Sequence, residues 1–373
     1  MTLIVQVTPG PLEHDLSDLV RLPFGLDVWE MGDEHVVVRA EEAALDRLEQ
    51  MGYGVEQLVT TDSYLSTFAT AEAVSGYHSA ESLESDLRHL AEREPEIAEL
   101  HEIGRSVENR PLWALRLGER KGSTHKVLFT GCHHAREWVA VEVPYLLALD
   151  LVDNADTSPV QEWLSRGEIW IAPMVNPDGH EHSRTEDRLW RKNRRPNPNG
   201  SMGVDPNRNY GYMWGTLNVS TSSHVPRDET YVGPRAFSEP ETRAVRRLIT
   251  CEGFGGVITY HSYSQLILHP WGYTRRPAGE SQPLVDLGRR MQELIGQVHG
   301  RTYTAKQSSG LYPTAGDTTD WTFGEFAIPS FTVELRPRSQ SEGGFMLPTN
   351  QIQPTWEENR PAAHAFIDTV FAV

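Results

Sequence analysis

The sequence predicts an α/β fold: a mixed, largely parallel twisted sheet flanked by helices, preceded by a small α+β domain. Three observations carry this. Beyond residue 80, apolar runs of strand length alternate with longer helical stripes, the pattern of a parallel sheet covered by helices. Before residue 66, about four short strand-like runs surround two helical ones. Between the two lies a stretch enriched in small polar residues. At 373 residues the chain can bury one large core and one small one.

Taken in order, the first unit, residues 1–66, reads as a strand at Leu3 to Val7, a helix from Leu12 to Val20 and strands near Leu26 to Trp29 and Val36 to Val38. A helix from Glu41 to Met51 and a strand at Gly54 to Leu58 complete it. Residues 67–76, the centre of the small polar stretch 60–79, are expected to be a connector. The large unit, 77–373, opens with a helical stripe of Leu83, Leu87 and Leu90 that ends near Pro95. Strands follow at Val127 to Thr130, Ile169 to Ala172 and Val257 to Tyr260, with a buried helix from Glu137 to Val152. In S-E-P-E at 238–241, Ser238 is expected to cap a helix with Glu241 as its third-position partner. Helices near Leu284 to Val298 and Trp356 to Phe371 complete the alternation.

Charge narrows the function classes. With 52 acidic and 34 basic residues the formal net charge is −18, which on average repels nucleic acid and anionic membrane. No apolar segment approaches the length a bilayer requires. The start, M-T-L-I-V-Q-V-T-P-G, lacks the basic and apolar regions of a secretory signal. Two cysteines, Cys132 and Cys251, cannot build a disulfide scaffold; the flanking apolar runs place them at opposite ends of the sheet, so free thiols are expected.

Ligands of parallel sheets gather beyond the carboxyl ends of strands, and G-C-H-H-A-R-E-W at 131–138 follows such a strand. Zinc favours imidazole and carboxylate, with three protein ligands and an open position in hydrolytic sites. His134 and Glu137 are three apart, and His133 and Glu137 are four apart, so one helical turn allows either pairing. His261, just after the strand at Val257 to Tyr260, is the best third ligand. A further glutamate lies on another core strand, in S-F-T-V-E-L-R at 330–336.

These residues resemble the zinc metallocarboxypeptidase family, which includes the pancreatic carboxypeptidases A and B and bacterial carboxypeptidase T. The resemblance runs in chain order through N-P-D-G at 176–179, R-L-W-R-K-N-R at 188–194, G-V-D-P-N-R-N at 203–209, Y-V-G at 231–233 and A-F-S-E-P-E-T at 236–242. It continues through H-S-Y-S-Q-L at 261–266, L-Y-P-T-A-G-D-T-T-D-W at 311–321, F-T-V-E-L-R at 331–336 and G-F-M-L-P at 344–348. It implies a carboxypeptidase-like fold holding one catalytic Zn(2+) on His134, Glu137 and His261. It implies Glu334 as general base and then acid, and Arg191 as the group that polarises the scissile carbonyl. Asn207, Arg208 and Tyr312 would grip the terminal carboxylate, and Arg136 would steer it inward unless it only makes a salt bridge within its loop. Ser262 and Tyr263 would line the position inside the cleaved bond, and Asp178 and Asp205 would brace loops or back a ligand. The chemistry makes the same demands: a base separate from the ligands, a positive donor for the oxyanion, and a guanidinium that meets a carboxylate side-on.

By the same resemblance, Gln307, Thr314, Asp317, Thr318, Thr319 and Thr332 form the pocket for the terminal side chain. Asp317 either attracts Lys or Arg or bonds to neighbouring threonines and leaves room for apolar ends. The expected function is zinc-dependent removal of C-terminal residues, apolar and basic, from peptides or proteins. Two other readings stay open, an amidohydrolase for a specialised or side-chain-linked amino acid and an inactive peptide-binding relative; the first meets the carboxylate grip, the second the presence of Glu334 and Arg191.

The first unit resembles the family's activation propeptide through L-P-F-G-L-D-V-W-E at 22–30, V-V-V-R at 36–39 and Y-G-V-E-Q-L at 53–58. That implies an inhibitory domain and an activating protease acting between about 66 and 77. A monomer is expected. The missing signal points to the cytoplasm and the family to secretion. No calcium site is identified by the acidic residues.

Overall fold

The computed structural model describes residues 2–22, 24–68, 75–119, 122–279 and 281–372. Its first sheet has the order β2-β3-β1-β4, built from β1 (Thr2–Thr8), β2 (Asp27–Met31), β3 (Val36–Glu41) and β4 (Gly54–Thr60). All three pairings are antiparallel, which short connections permit. The helix Glu42–Gln50 packs Leu45 and Leu48 onto one face with Val5, Val7, Val36 and Val38.

The second sheet has eight strands: β5 (Ala98–Arg105), β6 (Pro111–Leu117), β7 (Lys126–Gly131), β8 (Glu168–Ala172), β9 (Gly256–Ser262), β10 (Leu266–His269), β11 (Thr304–Gln307) and β12 (Ser330–Leu335). Their order is β11-β10-β12-β9-β7-β8-β6-β5. The central four, β12, β9, β7 and β8, are mutually parallel, and β6 and β5 close one side antiparallel. The sheet is therefore mixed with a parallel centre, as the alternation of apolar runs and helices predicts.

Strand periodicity then divides the side chains between two cores. Val127 and Phe129, Ile258 and Tyr260, and Phe331, Val333 and Leu335 face a core shared with the helices Ala80–Arg93, Val139–Asp153, Gln282–His299 and Ile352–Phe371. Leu128 and Val257 face a second core with the helix Pro240–Glu252. The same alternation puts Thr259, His261, Thr332 and Glu334 on this second face, toward the carboxyl ends of β9 and β12.

Several expected local features differ. The helix expected at Leu12 to Val20 is a 3-10 segment, Leu16–Arg21, capped by Asp15. The small polar stretch begins as the helix Thr61–Phe68, because Tyr64 is buried and donates to Gly343 O at 2.7 Å, so packing overrides composition there. The centre of the expected connector, 69–74, lies outside the described residues. Ser238 caps no helix: the cap is Glu239, Pro240 follows, and Glu241 instead accepts from Val107 N at 3.0 Å. Both cysteines are free thiols, Cys132 buried and Cys251 exposed on the helix Pro240–Glu252. Among the described residues no helix is long and apolar enough to cross a membrane.

Candidate active site

At Gly131 the backbone passes so close to the next helix that an added Cβ would meet Ala140 O at 2.0 Å, which explains a glycine at the end of β7. Cys132 then takes a left-handed φ of 53° and turns the chain out of the sheet. The turn is pinned from outside. Ala135 N donates to Arg191 O at 2.9 Å, and Asn176 Nδ2 donates to His133 O at 3.0 Å and Lys192 O at 3.1 Å.

The ambiguity between the two histidines is resolved by geometry. His134 Nδ1 lies 2.7 Å from Glu137 Oε1, His261 Nδ1 lies 2.9 Å from Glu137 Oε2, and the two ring nitrogens are 3.1 Å apart. Nitrogens that close cannot both be satisfied acceptors without a proton or a cation between them. His134, Glu137 and His261 form a metal-binding triad with donor atoms within 4.8 Å of one another, all buried. Two imidazoles and a carboxylate suit zinc. His133 is elsewhere, with Nε2 2.9 Å from Tyr210 OH and Nδ1 3.2 Å from Thr259 Oγ1.

The surrounding groups orient the ligands. Asp205 Oδ1 is 3.1 Å from His134 Nε2, and its Oδ2 accepts from Arg191 Nε and Nη2 at 3.0 and 2.9 Å. One carboxylate therefore holds both a ligand and the neighbouring arginine, whose Nη2 also lies 2.8 Å from His134 Nε2, so both contacts fall on the ring nitrogen that faces away from Glu137. Asp178 only braces a loop, accepting from Ser106 Oγ and Glu108 N at 2.6 and 2.7 Å. Sequence could not rank these two acids, because neither has a distinguishing spacing. Ser262 contributes its backbone, donating N–H to Glu137 Oε2 at 3.2 Å.

Glu334 is paired in register with His261 across the parallel strands β12 and β9. Burial pushes its carboxyl up to about 8; His261 pulls it down, and Glu137 adds to the rise. Burial disfavours the Arg191 cation, but Asp205 outweighs it and keeps the guanidinium charged. These groups line a cleft of about 580 Å³ with Arg136, Tyr263 and Tyr312.

Beyond the triad lies a pocket of about 30 Å³ lined by Asn207, Arg208, Tyr312, Thr314, Asp317, Thr332 and Glu334, among others. Thr318 N–H and Oγ1 fix Asn207 through its Oδ1 at 2.9 and 2.8 Å. Arg208 is held in plane by Thr221 O at 2.5 Å and Asn207 O at 2.8 Å. Asp317 accepts from Thr314 Oγ1 at 3.0 Å and caps the helix Thr318–Phe326 through Asp320 N at 2.8 Å. Burial and the charge of Asp317 push the neighbouring Asp320 well above the carboxylate range.

Three expected pocket residues lie outside this lining. Gln307 turns its amide to Trp271 O and Thr274 O at 3.0 and 2.6 Å and borders a separate cavity on the outer side of Tyr312. Thr318 is used on Asn207, and Thr319 stands behind the wall, bonded to Thr332 Oγ1 at 2.7 Å. Leu268, Ser308 and Leu311 line the pocket instead, with no chemical signal in the sequence to announce them.

Arg136 makes no salt bridge within its own loop. Its Nη1 and Nη2 donate to Asp27 Oδ2 and Oδ1 at 2.7 and 2.8 Å, so a residue of the first unit grips the turn that carries the ligands. Tyr263 donates to Glu30 Oε1 at 3.1 Å and packs with Trp29, Tyr64 and Phe345 in a cluster shared by both units.

A family profile described as zinc carboxypeptidase matches residues 83–362. Carboxypeptidase B of Astacus astacus is 36% identical over 290 residues, covering 76% of this chain and 93% of that protein. Human carboxypeptidase O is 33% identical over 303 residues, covering 79% of each. The crystal structure of carboxypeptidase A from Helicoverpa armigera superposes with a TM-score of 0.86 at 26% identity, covering 100% of this chain and 98% of that one. A triad of this geometry at the carboxyl ends of β7 and β9, within so long a match, identifies the chain as a member of the zinc carboxypeptidase family, a zinc-dependent exopeptidase.

Proposed function

We propose that one zinc ion on His134, Glu137 and His261 serves hydrolysis of the C-terminal peptide bond, with Glu334 as base and Arg191 as oxyanion donor. The observation that carries this reading is the placement of a buried carboxylate, Glu334, one strand away from ligand His261, with Arg191 and Arg208 close enough to act on its charge. When bound, zinc supplies Lewis acidity and makes water nucleophilic near neutral pH. Glu334 takes the proton from the attacking water and returns it to the leaving nitrogen as the C–N bond breaks. Arg191, held by Asp205, needs no reorganisation to meet the negative charge that develops on the carbonyl oxygen. Asn207, Arg208 and Tyr312 hold the substrate's carboxylate and restrict cleavage to the last bond.

The pocket admits both side-chain classes. Asp317 lines the pocket with no cation partner among the described residues, which favours Lys and Arg, while Thr314, Thr332 and Leu268 accept apolar ends. Two of the relatives carry the names carboxypeptidase B and carboxypeptidase O.

The first unit inhibits the intact chain. Asp27, Trp29 and Glu30 cover Arg136, Tyr263 and Phe345 on the cleft wall, where the upstream part of a peptide would lie. An activating protease would cut between about 66 and 77. The test compares the zinc-loaded chain before and after limited proteolysis in that segment, using peptides ending in Phe, Leu, Arg, Lys and Glu. Cutting should raise the rate on peptides of several residues, and equal rates would count against inhibition. Glu334→Gln should keep zinc and lose activity by about a thousandfold; retained activity removes Glu334 from the chemistry. A preference for terminal Glu would refute the pocket assignment.

A further inference from the structure

Two of the charged groups that the first unit aims at the catalytic unit have been described, Asp27 on Arg136 and Glu30 on Tyr263. The third is Arg39 of β3. Its Nη2 donates to Glu229 Oε1 at 3.0 Å, and its Nε lies 3.1 Å from Asp27 Oδ2. The guanidinium is thus shared, and Glu229 engages it through one oxygen. Glu229 Oε2 is enclosed and has no hydrogen-bond partner among the described residues. A carboxylate oxygen enclosed without a partner is costly. Burial pushes the Glu229 carboxyl up, and Arg39 opposes the rise. No step of the hydrolysis uses this residue.

Around Glu229 itself the loop is bonded within the catalytic unit, while further back Ser220 donates its N–H to Val20 O and its Oγ to Phe24 O of the first unit. Lys192, the neighbour of Arg191, donates Nζ to Pro226 O at 3.0 Å and Asp228 O at 2.9 Å. Asp205 N–H donates to Tyr231 O at 2.8 Å, and Thr230 Oγ1 donates to Ser220 O at 2.6 Å. The bonds from Lys192 and Asp205 on either side of Glu229 do not involve the first unit and remain when Arg39 is withdrawn. The charges run in a chain from Glu229 through Arg39 and Asp27 to Arg136, a residue of the cleft lining two positions from ligand His134, so Glu229 lies on the same face of the catalytic unit that the first unit covers.

We infer that Glu229 is a subsite for a basic side chain of the substrate, upstream of the bond cleaved, and that Arg39 occupies it in the intact chain. The inference rests on the reading that the first unit leaves the cleft on activation. Freed from Asp27, a substrate arginine can present its planar fork to both oxygens of Glu229, whereas a lysine ammonium engages them as a point charge. Arginine should therefore be favoured over lysine, and both over glutamine.

The test uses the zinc-loaded chain, uncut and after limited proteolysis in the connector. The substrates are peptides of about six residues with one fixed C-terminal residue and Arg, Lys or Gln at each upstream position in turn. In the cut chain, kcat/KM for Arg should exceed that for Gln by about tenfold at one upstream position, mainly through KM. Glu229→Gln should bring that ratio near one, and the uncut chain should also show a ratio near one because Arg39 fills the site. A ratio near one at every position in the cut wild-type chain overturns the inference without any variant. So does a tenfold ratio that persists in a Glu229→Gln chain with wild-type zinc content and melting temperature. Rates on the Gln peptides report separately on inhibition: equal rates before and after cutting sink that reading, while the Arg-to-Gln ratio in the cut chain still decides on Glu229.

Discussion

At the carboxyl ends of β7 and β9, the ligand side chains are set by strand register and by a turn pinned at Ala135 and Asn176. Beneath the first unit, by contrast, Arg136, Tyr263 and Glu229 are engaged by Asp27, Glu30 and Arg39, which belong to a separate sheet. Both regions bury charge, but only the second can exchange its partners. Charges fixed by their own sheet suit chemistry that must not rearrange, and charges met across two units suit a surface that is later given to a ligand.

The largest effects should come from the fixed region. His134→Ala removes a ligand donor and should abolish zinc binding, with activity falling by roughly a thousandfold or more. His133→Ala removes hydrogen bonds to Tyr210, Thr259 and Thr318 but no ligand, and should leave zinc bound. Metal content of the two purified variants checks this, and the reverse result would transfer the ligand role to His133.

In the exchangeable region, Asp27→Ala leaves Arg136 buried without its bidentate partner, a loss on the order of 3–5 kcal/mol in the hold of the first unit. The uncut chain should then cleave longer peptides markedly faster, approaching the cut chain. If peptide rates stay at the wild-type level while the variant remains folded, the contact between the two units does not control the cleft. Asp205→Asn tests the intermediate case, a carboxylate that touches His134 without ligating metal. Zinc affinity should fall by about 10–100-fold, read by competition with a chelator; unchanged affinity would reduce Asp205 to a loop brace.

The two regions also differed in how far they could be read from sequence. The parallel centre of the large sheet was legible because Val127 to Thr130 and Val257 to Tyr260 are continuous apolar runs, and β12 follows the same rule. By spacing alone the triad is legible only to within one residue, since a helical turn brings either His133 or His134 to Glu137; the family resemblance names His134, and the geometry agrees. The deciding fact is the left-handed bend at Cys132, which no local periodicity encodes. Gln307, Thr318 and Thr319 do not border the small pocket beyond the triad, because the orientation of each depends on partners distant in sequence: Trp271, Asn207 and Thr332. The domain face was illegible for the same reason. Asp27 and Arg136 are 109 residues apart, and neither has a local pattern that names the other.

The smallest effect concerns the first residues described after the connector. His78 Nδ1 lies 2.6 Å from Glu142 Oε2, and its Nε2 lies 3.0 Å from Asp86 Oδ2. Both ring nitrogens can donate at once only as the imidazolium. Burial opposes that charge, but Glu142 and Asp86 outweigh it and raise the pKa above the ordinary histidine value. A raised folded value means the contribution is fully present below the unfolded pKa of about 6.5 and is lost as pH rises through the folded value. A partly buried network with one exposed partner contributes roughly 1 kcal/mol, so the melting temperature should fall by on the order of 1–2 °C over that interval. Glu142→Gln should remove the step, because the stronger of the two carboxylate partners is gone. Identical melting profiles for the two proteins from pH 6 to 9 would show that His78 anchors this segment without its charge, leaving Tyr77, through its hydroxyl bond to Leu347 O at 2.8 Å, to hold the start of the large unit in place.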